Sequence, residues 1–345
     1  SRPYSAPVTQ GKGAQRAHYV RIGSRSVVAQ GEQLRQLQEL AARIPFDDRV
    51  NQRATIHDLD LGLIQAHLQE VKSALYEESK AMSFADLCRT MLIAKGADEN
   101  LLPVNAGLLF FNPHPHKFFE RAWIEIVVHN DMTGKQFYEK KFEGPLHVQL
   151  RKALSFIQTN FVKQHVIKVP NQAEALRFDN FPFAAVEEAL SNAVYHKSYE
   201  LGSPIEVQVW PDKIEILSFP GPVPPIDANM LQTQQRFVAR DYRNRRIGDF
   251  LKELHLTEGR GTGVPGIYRT MAQNGSPLPT LETDADRNYF LTVFPVHPHA
   301  DAAESNQVSN EESSQATDIA TSGADSFVFN NLDELLAFAN GATDL

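Results

Sequence analysis

The sequence contains very little cysteine: Cys88 is the only one among 345 residues. A single cysteine excludes an intrachain disulfide and a zinc site built on cysteines, which is typical of a reducing cytoplasm. No apolar run approaches the roughly 20 residues that span a bilayer as a helix. From these absences we expect a cytoplasmic protein that does not contact a membrane.

Three common catalytic motifs are also missing. The chain has neither a Walker A loop of the form GxxxxGK[ST] nor a GxSxG nucleophile elbow. Two histidine pairs flank prolines, His114 with His116 and His297 with His299, but no acidic residue or cysteine is spaced to complete a metal site with them. Walker-type ATPase, serine hydrolase and histidine-based zinc chemistry therefore have no support.

Basic residues are absent after Arg287, whereas nine of the 42 acidic residues lie beyond residue 300. The rest of the chain has 33 acidic and 34 basic residues and is nearly neutral, so the net charge of −8 decides nothing about nucleic acid. We expect residues 298–345 to be a mostly disordered acidic tail. A short helix is predicted near 331–339, where it either docks on its own domain or folds on a partner.

The remaining sequence alternates between helical and extended patterns. Helical spacing of apolar residues predicts helices near 31–43, 56–75, 83–96, 145–164, 182–197, 246–256 and 264–275. Extended patterns predict strands in 17–29, 122–129, 204–218 around a Pro-Asp turn, and 279–296. Asp58 is a plausible cap for the second helix, and Ser83 opens the third.

The segment "EEALSNAVYHKSY" places Glu188, Asn192 and His196 four residues apart. Residues at this spacing lie on one helical face, beside a face of apolar residues. A carboxylate can activate water, an amide oxygen can bind Mg²⁺, and an imidazole can donate to a phosphate. Spacing alone, however, favours a solvated helix face.

A second motif, "GRGTG", has Gly259, Gly261 and Gly263 alternating with Arg260 and Thr262 directly before a predicted helix. Glycines allow the backbone to approach a ligand closely, and the N–H groups at a helix start bind anions. Because a helix and not a strand precedes it, the motif is not a Rossmann fingerprint. Taken alone, it would also describe a flexible hinge.

Together these motifs resemble the GHKL ATPases, the group of gyrase B, Hsp90, histidine kinases and MutL. The shared order is a helix with ExxxNAxxH, two strands, a Pro-Gly turn, a long loop and a GxGTG loop entering a helix. The match is closer to the bacterial RecG-like ATP-binding C-terminal module that follows a Schlafen-type AlbA-like domain, and it covers roughly residues 15–297.

The resemblance implies an α+β fold whose C-terminal part is a GHKL-like (Bergerat) α/β sandwich. It implies the end of an AlbA-like domain in residues 1–30, a mixed helical and strand connecting domain in 31–168, and an ATP-binding domain in 169–297, followed by the tail 298–345. Most of the AlbA-like domain would then lie outside this sequence.

The resemblance also implies ATP and Mg²⁺ as cofactors, and it assigns roles to individual residues. Glu188 would be the general base that orients water, and Asn192 would hold Mg²⁺. The remaining implied nucleotide-binding residues are His196, Gly221, the lid pair Arg243 and Asn244, and the loop residues Gly259, Gly261, Thr262 and Gly263.

The implied function is nucleotide binding, with slow ATP hydrolysis left open, in a bacterial regulatory or defence protein. Nucleotide state would control contacts with a protein partner or a second copy, and nucleic acid would bind through the AlbA-like domain. The alternative is a non-catalytic transcription-regulator or interaction module with a vestigial pocket, since Phe219 stands where the group carries an adenine-reading aspartate. Nucleic-acid binding by residues 1–165 is a third hypothesis.

Overall fold

A computed structural model describes residues 9–10, 17–22, 25–30, 34, 44–168, 174–233, 242–257 and 263–300. Residues 1–298 form one compact unit, and residues 299–345 form a second, of which the structure describes only 299–300. Three predicted features lie outside the described residues: the helix near 31–43, the loop residues Gly259, Gly261 and Thr262, and the tail helix near 331–339.

The described ranges contain nine α-helices, numbered here in chain order. They are α1 (Leu61–Glu70), α2 (Leu75–Ser79), α3 (Phe84–Thr90), α4 (Asn105–Phe111), α5 (Leu146–Phe161), α6 (Phe183–His196), α7 (Ala228–Thr233), α8 (Arg245–Glu253) and α9 (Gly263–Asn274). None of these helices combines the length and the apolar character needed to cross a membrane.

Thirteen strands accompany them within the same ranges. They are β1 (Thr9–Gln10), β2 (Ala17–Ile22), β3 (Arg25–Val28), β4 (Ala94–Lys95), β5 (Leu102–Pro103), β6 (Ile124–His129), β7 (Phe137–Phe142), β8 (Gln164–Ile167), β9 (Leu176–Asp179), β10 (Ile205–Val209), β11 (Lys213–Ser218), β12 (Thr280–Glu282) and β13 (Phe290–Pro295). The sequence patterns did not predict β7, the β8–β9 hairpin or α4.

A six-stranded mixed sheet in the order β12-β13-β11-β10-β6-β7 is the centre of the fold. The pair β6–β10 is parallel, and the other neighbours are antiparallel. The protein is therefore a mixed α/β structure. Strands β6 and β7 precede residue 168 and β10 to β13 follow it, so one sheet takes strands from both sides of the predicted domain boundary, which stays a prediction.

One face of this sheet is apolar and is covered by helices α5 and α6, and α9 packs on α6. Alternate residues along the strands fill that face, because successive side chains of a strand point to opposite sides. The buried set comprises Ile124, Ile126, Val207, Ile214, Ile216 and Phe294. The other face has partly exposed and largely polar side chains such as Glu125, Gln208 and Glu215.

The two predicted helix caps have different outcomes. Ser83 caps α3, because its side chain accepts a hydrogen bond from the backbone nitrogen of Asp86 at 3.1 Å. Helix α1 is capped by Asp60, whose carboxylate accepts from Leu63 N at 2.9 Å. The suggestion of Asp58 was wrong, since Asp58 ends a short 3₁₀ turn that precedes the helix.

Asp47 joins the N-terminal region to α8. It is fully buried, and its carboxylate accepts from Ile247 N at 3.0 Å, although its own element lies 200 residues away in the sequence. Because the N-cap Asn244 makes no side-chain cap bond to the helix, Asp47 satisfies a donor that the start of α8 would otherwise leave unpaired. Burial raises the pKa of Asp47 to about 6, against the pull of the helix N–H groups.

We expect Asp47 to make folding pH-dependent. A folded pKa above the unfolded value means that the folded protein binds the extra proton, so stability from this group is lost as pH rises through 4 to 6. The free energy of unfolding of the wild type, relative to Asp47→Asn, should therefore increase by about 2 kcal/mol as pH falls from 7 to 4. Denaturant unfolding of both proteins across this range measures it, and a constant difference would contradict it.

Candidate functional site

A pocket of about 160 Å³ lies between the helix layer and the end of the sheet formed by β11, β13 and β12. Its apolar lining includes Val223, Ile226, Leu231, Leu281 and Phe290, with hydroxyls from Ser218 and Thr292. Its polar lining includes Glu188, Asn192, His196 and Arg243, together with the backbone of Gly263. Both neighbours of the segment 258–262, Thr257 and Gly263, line the pocket as well.

The predicted polar stripe of α6 faces this pocket. The side-chain N–H of Asn192 donates to Glu188 Oε1, with Nδ2 and Oε1 3.2 Å apart, so the amide oxygen of Asn192 points away from that carboxylate. The opposite side of the helix is fixed in the core by residues such as Val186 and Leu190, both fully buried. The helix is thus packed on one side and presents its stripe to the pocket on the other.

Gly263 brings the start of α9 against the same stripe. A Cβ atom added to Gly263 would lie 2.8 Å from Asn192 Nδ2 and even closer to Glu188 Oε1. A side chain at this position would therefore have to displace the ends of the Glu188 and Asn192 side chains. The contact places the first backbone groups of a twelve-residue helix beside a carboxylate and an amide at the mouth of the pocket.

His196 ends the stripe in an aromatic cluster. Its ring stacks on Tyr195 with centroids 4.5 Å apart, and the Tyr195 and Tyr242 rings are parallel to within 2°. Burial lowers the pKa of His196 to about 4, and the nearby positive charge of Arg243 acts in the same direction. At neutral pH the imidazole is therefore uncharged and can donate only through its single ring N–H.

Arg243 and Asn244, the predicted lid pair, make hydrogen bonds to backbone carbonyl groups of the protein itself. Arg243 lines the pocket and is mostly buried, and its guanidinium donates to the carbonyls of His196 at 2.5 Å and Gly221 at 3.4 Å. Asn244 is fully buried and does not line the pocket; its amide donates to the carbonyls of Tyr195 and Lys197. Both residues thus satisfy carbonyl groups at or near the C-terminal end of α6.

Gly221, which the resemblance assigned to a nucleotide-binding turn, lies at the turn after β11. Its N–H donates to the carbonyl of Arg287 at 2.7 Å. An added Cβ would lie 2.6 Å from Thr283 Oγ1 and 2.7 Å from the carbonyl oxygen of Tyr289, so no larger residue fits. Here the glycine is required by the close approach of two chain segments that wall the pocket.

The structure therefore brings Glu188, Asn192, His196, Gly221, Arg243 and Gly263 around one pocket and leaves Asn244 behind it. Gly259, Gly261 and Thr262 fall outside the described residues. Sequence reasoning missed Ser218, Thr292 and Tyr242. The first two are inward-facing residues of strands, and only the pairing of β11 and β13 reveals that they share a pocket.

Comparison with known families supports an ATPase-type domain in this part of the chain. A family described as "Putative ATP-dependent DNA helicase recG C-terminal" matches residues 202–294, from β10 to β13. This match suggests ATP binding. It begins after α6, so Glu188, Asn192 and His196 lie outside the matched residues. No curated protein sequence matches the chain.

Among solved structures, the DIP2311 protein from Corynebacterium diphtheriae has a similar fold. The TM-score is 0.54 at 18% sequence identity, over 81% of this chain and 53% of that protein. The chain thus spans about half the length of this structural relative. At this identity the similarity concerns the fold alone.

The Gly263 contact leads to a prediction with a matched control on the same helix. Gly263→Ala should displace the ends of the Glu188 and Asn192 side chains and lower the stability of the protein by about 1 kcal/mol, the lower end expected for overpacking, because these side-chain ends can move aside. Gly266→Ala, one turn later, meets no atom closer than 3.9 Å and should be neutral or stabilising by up to about 1 kcal/mol. Thermal unfolding of the two variants distinguishes them, and equal midpoints would contradict the close contact.

Proposed function

We propose that the chain binds ATP together with Mg²⁺ in the pocket between α6, α9 and the sheet, as a GHKL-type module. The observation that carries the proposal is the meeting of Gly263, at the start of α9, with Glu188 and Asn192 in the lining of a pocket that also has apolar walls. A nucleotide has the same division, since its base is apolar on both faces and its phosphates are charged.

The polar lining of the pocket has the groups that a triphosphate with a hard cation requires. The start of α9 offers backbone N–H groups to an anion, and the Arg243 guanidinium adds a positive charge at the wall. No group of three or more His, Cys, Asp or Glu suited to a metal occurs in the described residues. This suits Mg²⁺, which binds one or two protein oxygens plus phosphate oxygens and water, with Asn192 as the protein ligand.

The apolar lining of the pocket would hold the base. Leu281, Phe290, Val223 and Ile226 provide a surface that excludes water, while the Ser218 and Thr292 hydroxyls provide hydrogen bonds to ring nitrogens or an amino group. Bound Mg²⁺ would supply charge neutralisation of the phosphates. Glu188 lies next to the start of α9, where a carboxylate can orient and deprotonate an attacking water.

In this proposal nucleotide binding changes the contacts of the chain with a partner or a second copy. Arg243 supports the idea, because it lines the pocket and also donates to the carbonyl of His196 at the C-terminal end of α6. A ligand that draws on the same guanidinium would alter how the 242–247 segment sits against α6. A regulatory or defence role, a cytoplasmic location and nucleic-acid binding through an AlbA-like domain belong to the same proposal.

A second candidate is a non-catalytic interaction module with a vestigial pocket. The observation that favours it is that Glu188 is the only acidic side chain among the described lining residues. No carboxylate is therefore placed to accept a hydrogen bond from the amino group of a base beside Pro220, the lining residue that follows Phe219. This candidate requires that no activity changes when the pocket residues are altered.

The test compares two neighbouring glutamates on α6. The wild type should bind ATP with Mg²⁺ by calorimetry, and Glu188→Ala should keep that binding within a few-fold while losing at least about 100-fold in ATP turnover. Glu187→Ala is the matched control, since Glu187 is exposed and does not line the pocket. It should behave as wild type in both measurements.

Two results would separate the candidates. Absence of any heat of binding with ATP or ADP in the presence of Mg²⁺ would overturn the nucleotide proposal. Binding without measurable turnover in the wild type would leave a nucleotide-binding module that uses ATP as a ligand only.

A further inference from the structure

Strand β7 is the outermost strand of the six-stranded sheet, and within the described residues nothing pairs with its outer edge. Its first five residues are all exposed, including Phe137 at 54% and Tyr138 at 46%. The strand at the other edge, β12, has only three residues and is packed by α7. An exposed six-residue edge offers unpaired backbone N–H and C=O groups to another strand.

The two sides of β7 differ in chemistry. Phe137, Glu139 and Lys141 pair with His129, Val127 and Glu125 of β6 and so lie on the face that is not covered by helices. Tyr138, Lys140 and Phe142 alternate with them on the helix-covered face. Lys140 is drawn back onto its own subunit, since its Nζ lies 4.2 Å from the ring centroid of Phe156 in α5.

The sequence of β7 is complementary to itself in one antiparallel register. Two copies related by a twofold axis place residues from the same face opposite each other. With the axis at Lys140, Glu139 lies opposite Lys141 and Tyr138 opposite Phe142, each pair occurring twice. With the axis at Glu139, two glutamates oppose each other and both lysines face aromatic residues. Opposite charges across a strand pair stabilise it, and like charges destabilise it.

The geometry points to a second copy of this chain as the partner of β7, paired antiparallel about Lys140. The two six-stranded sheets then join into one continuous sheet across the interface. Backbone hydrogen bonds provide the affinity, and the two Glu139–Lys141 pairs set the register. Since a single six-residue strand contributes little area, the dimer is weak and concentration-dependent.

Charge reversal tests the register in the full-length chain. Sedimentation velocity over protein concentrations from about 1 to 300 µM should show a monomer–dimer equilibrium. Glu139→Lys and Lys141→Glu each turn both Glu–Lys pairs into like-charge pairs, so each should weaken dimerisation by about tenfold. The double variant exchanges the two charges and restores the pairs, so its dissociation constant should return towards the wild-type value.

Two further variants complete the experiment. Glu78→Lys makes the same charge change at an exposed position of α2, away from the sheet, and should dimerise as wild type. Lys140→Thr removes the two lysines that lie opposite each other at the axis and should not weaken the dimer, since each Lys140 ammonium is turned towards Phe156 of its own chain. Lys141 also contacts Glu125 and Trp123 within its own chain, so circular dichroism should verify that each variant is folded.

The outcomes decide the inference independently of nucleotide binding. A monomer at every concentration would overturn it. So would a dimer whose dissociation constant is the same in all variants, or a double variant that is no tighter than the single ones. Rescue by the double variant would establish the Glu139–Lys141 register.

Discussion

The contact of Gly263 with Glu188 and Asn192 joins the start of helix α9 to the polar stripe of α6, and both helices line the pocket at this point. The two helices pack directly on each other. Because Gly263 has no side chain, the carboxylate of Glu188 and the amide of Asn192 can lie against the start of α9. The same contact places a carboxylate, an amide and a helix N-terminus within reach of one ligand.

A second set of buried polar contacts holds the pocket from behind. Arg243 and Asn244 satisfy carbonyl groups around the end of α6, and Asp47 satisfies the N–H of Ile247 at the start of α8. Arg246 adds a hydrogen bond to the carbonyl of Met91. Residues 243–247 therefore connect the wall of the pocket to elements more than 150 residues earlier, through polar groups that are costly to leave unpaired.

Sequence reasoning predicted an element where functional residue types recur at the spacing of a helix. The stripe of α6 was readable because polar residues recur every four positions beside buried ones, and Gly263 was readable because it opens a helix after alternating glycines. It failed where polar and apolar residues do not alternate along the element. Strand β7 is exposed on both faces and α4 is buried all round, so neither has a polar and an apolar side to reveal its period.

The pocket's tertiary partners were also beyond the sequence. Ser218 and Thr292 are ordinary strand residues until β11 pairs with β13, and Tyr242 joins the aromatic cluster of Tyr195 and His196 only through the packing of α8 on α6. The cap of α8 by Asp47 crosses 200 residues and leaves no local signal. Such contacts depend on the assembled fold and not on spacing along the chain.

The parallel pairing of β6 with β10 bears on how this region can be produced on its own. A recombinant fragment limited to residues 202–294 would begin at β10 without its neighbour β6, and it would lack α6 and with it one wall of the cavity. Such a fragment would expose an apolar strand flank and would be prone to aggregate during expression. Boundaries for a self-standing piece should start upstream of Ile124, so that the central sheet is kept whole.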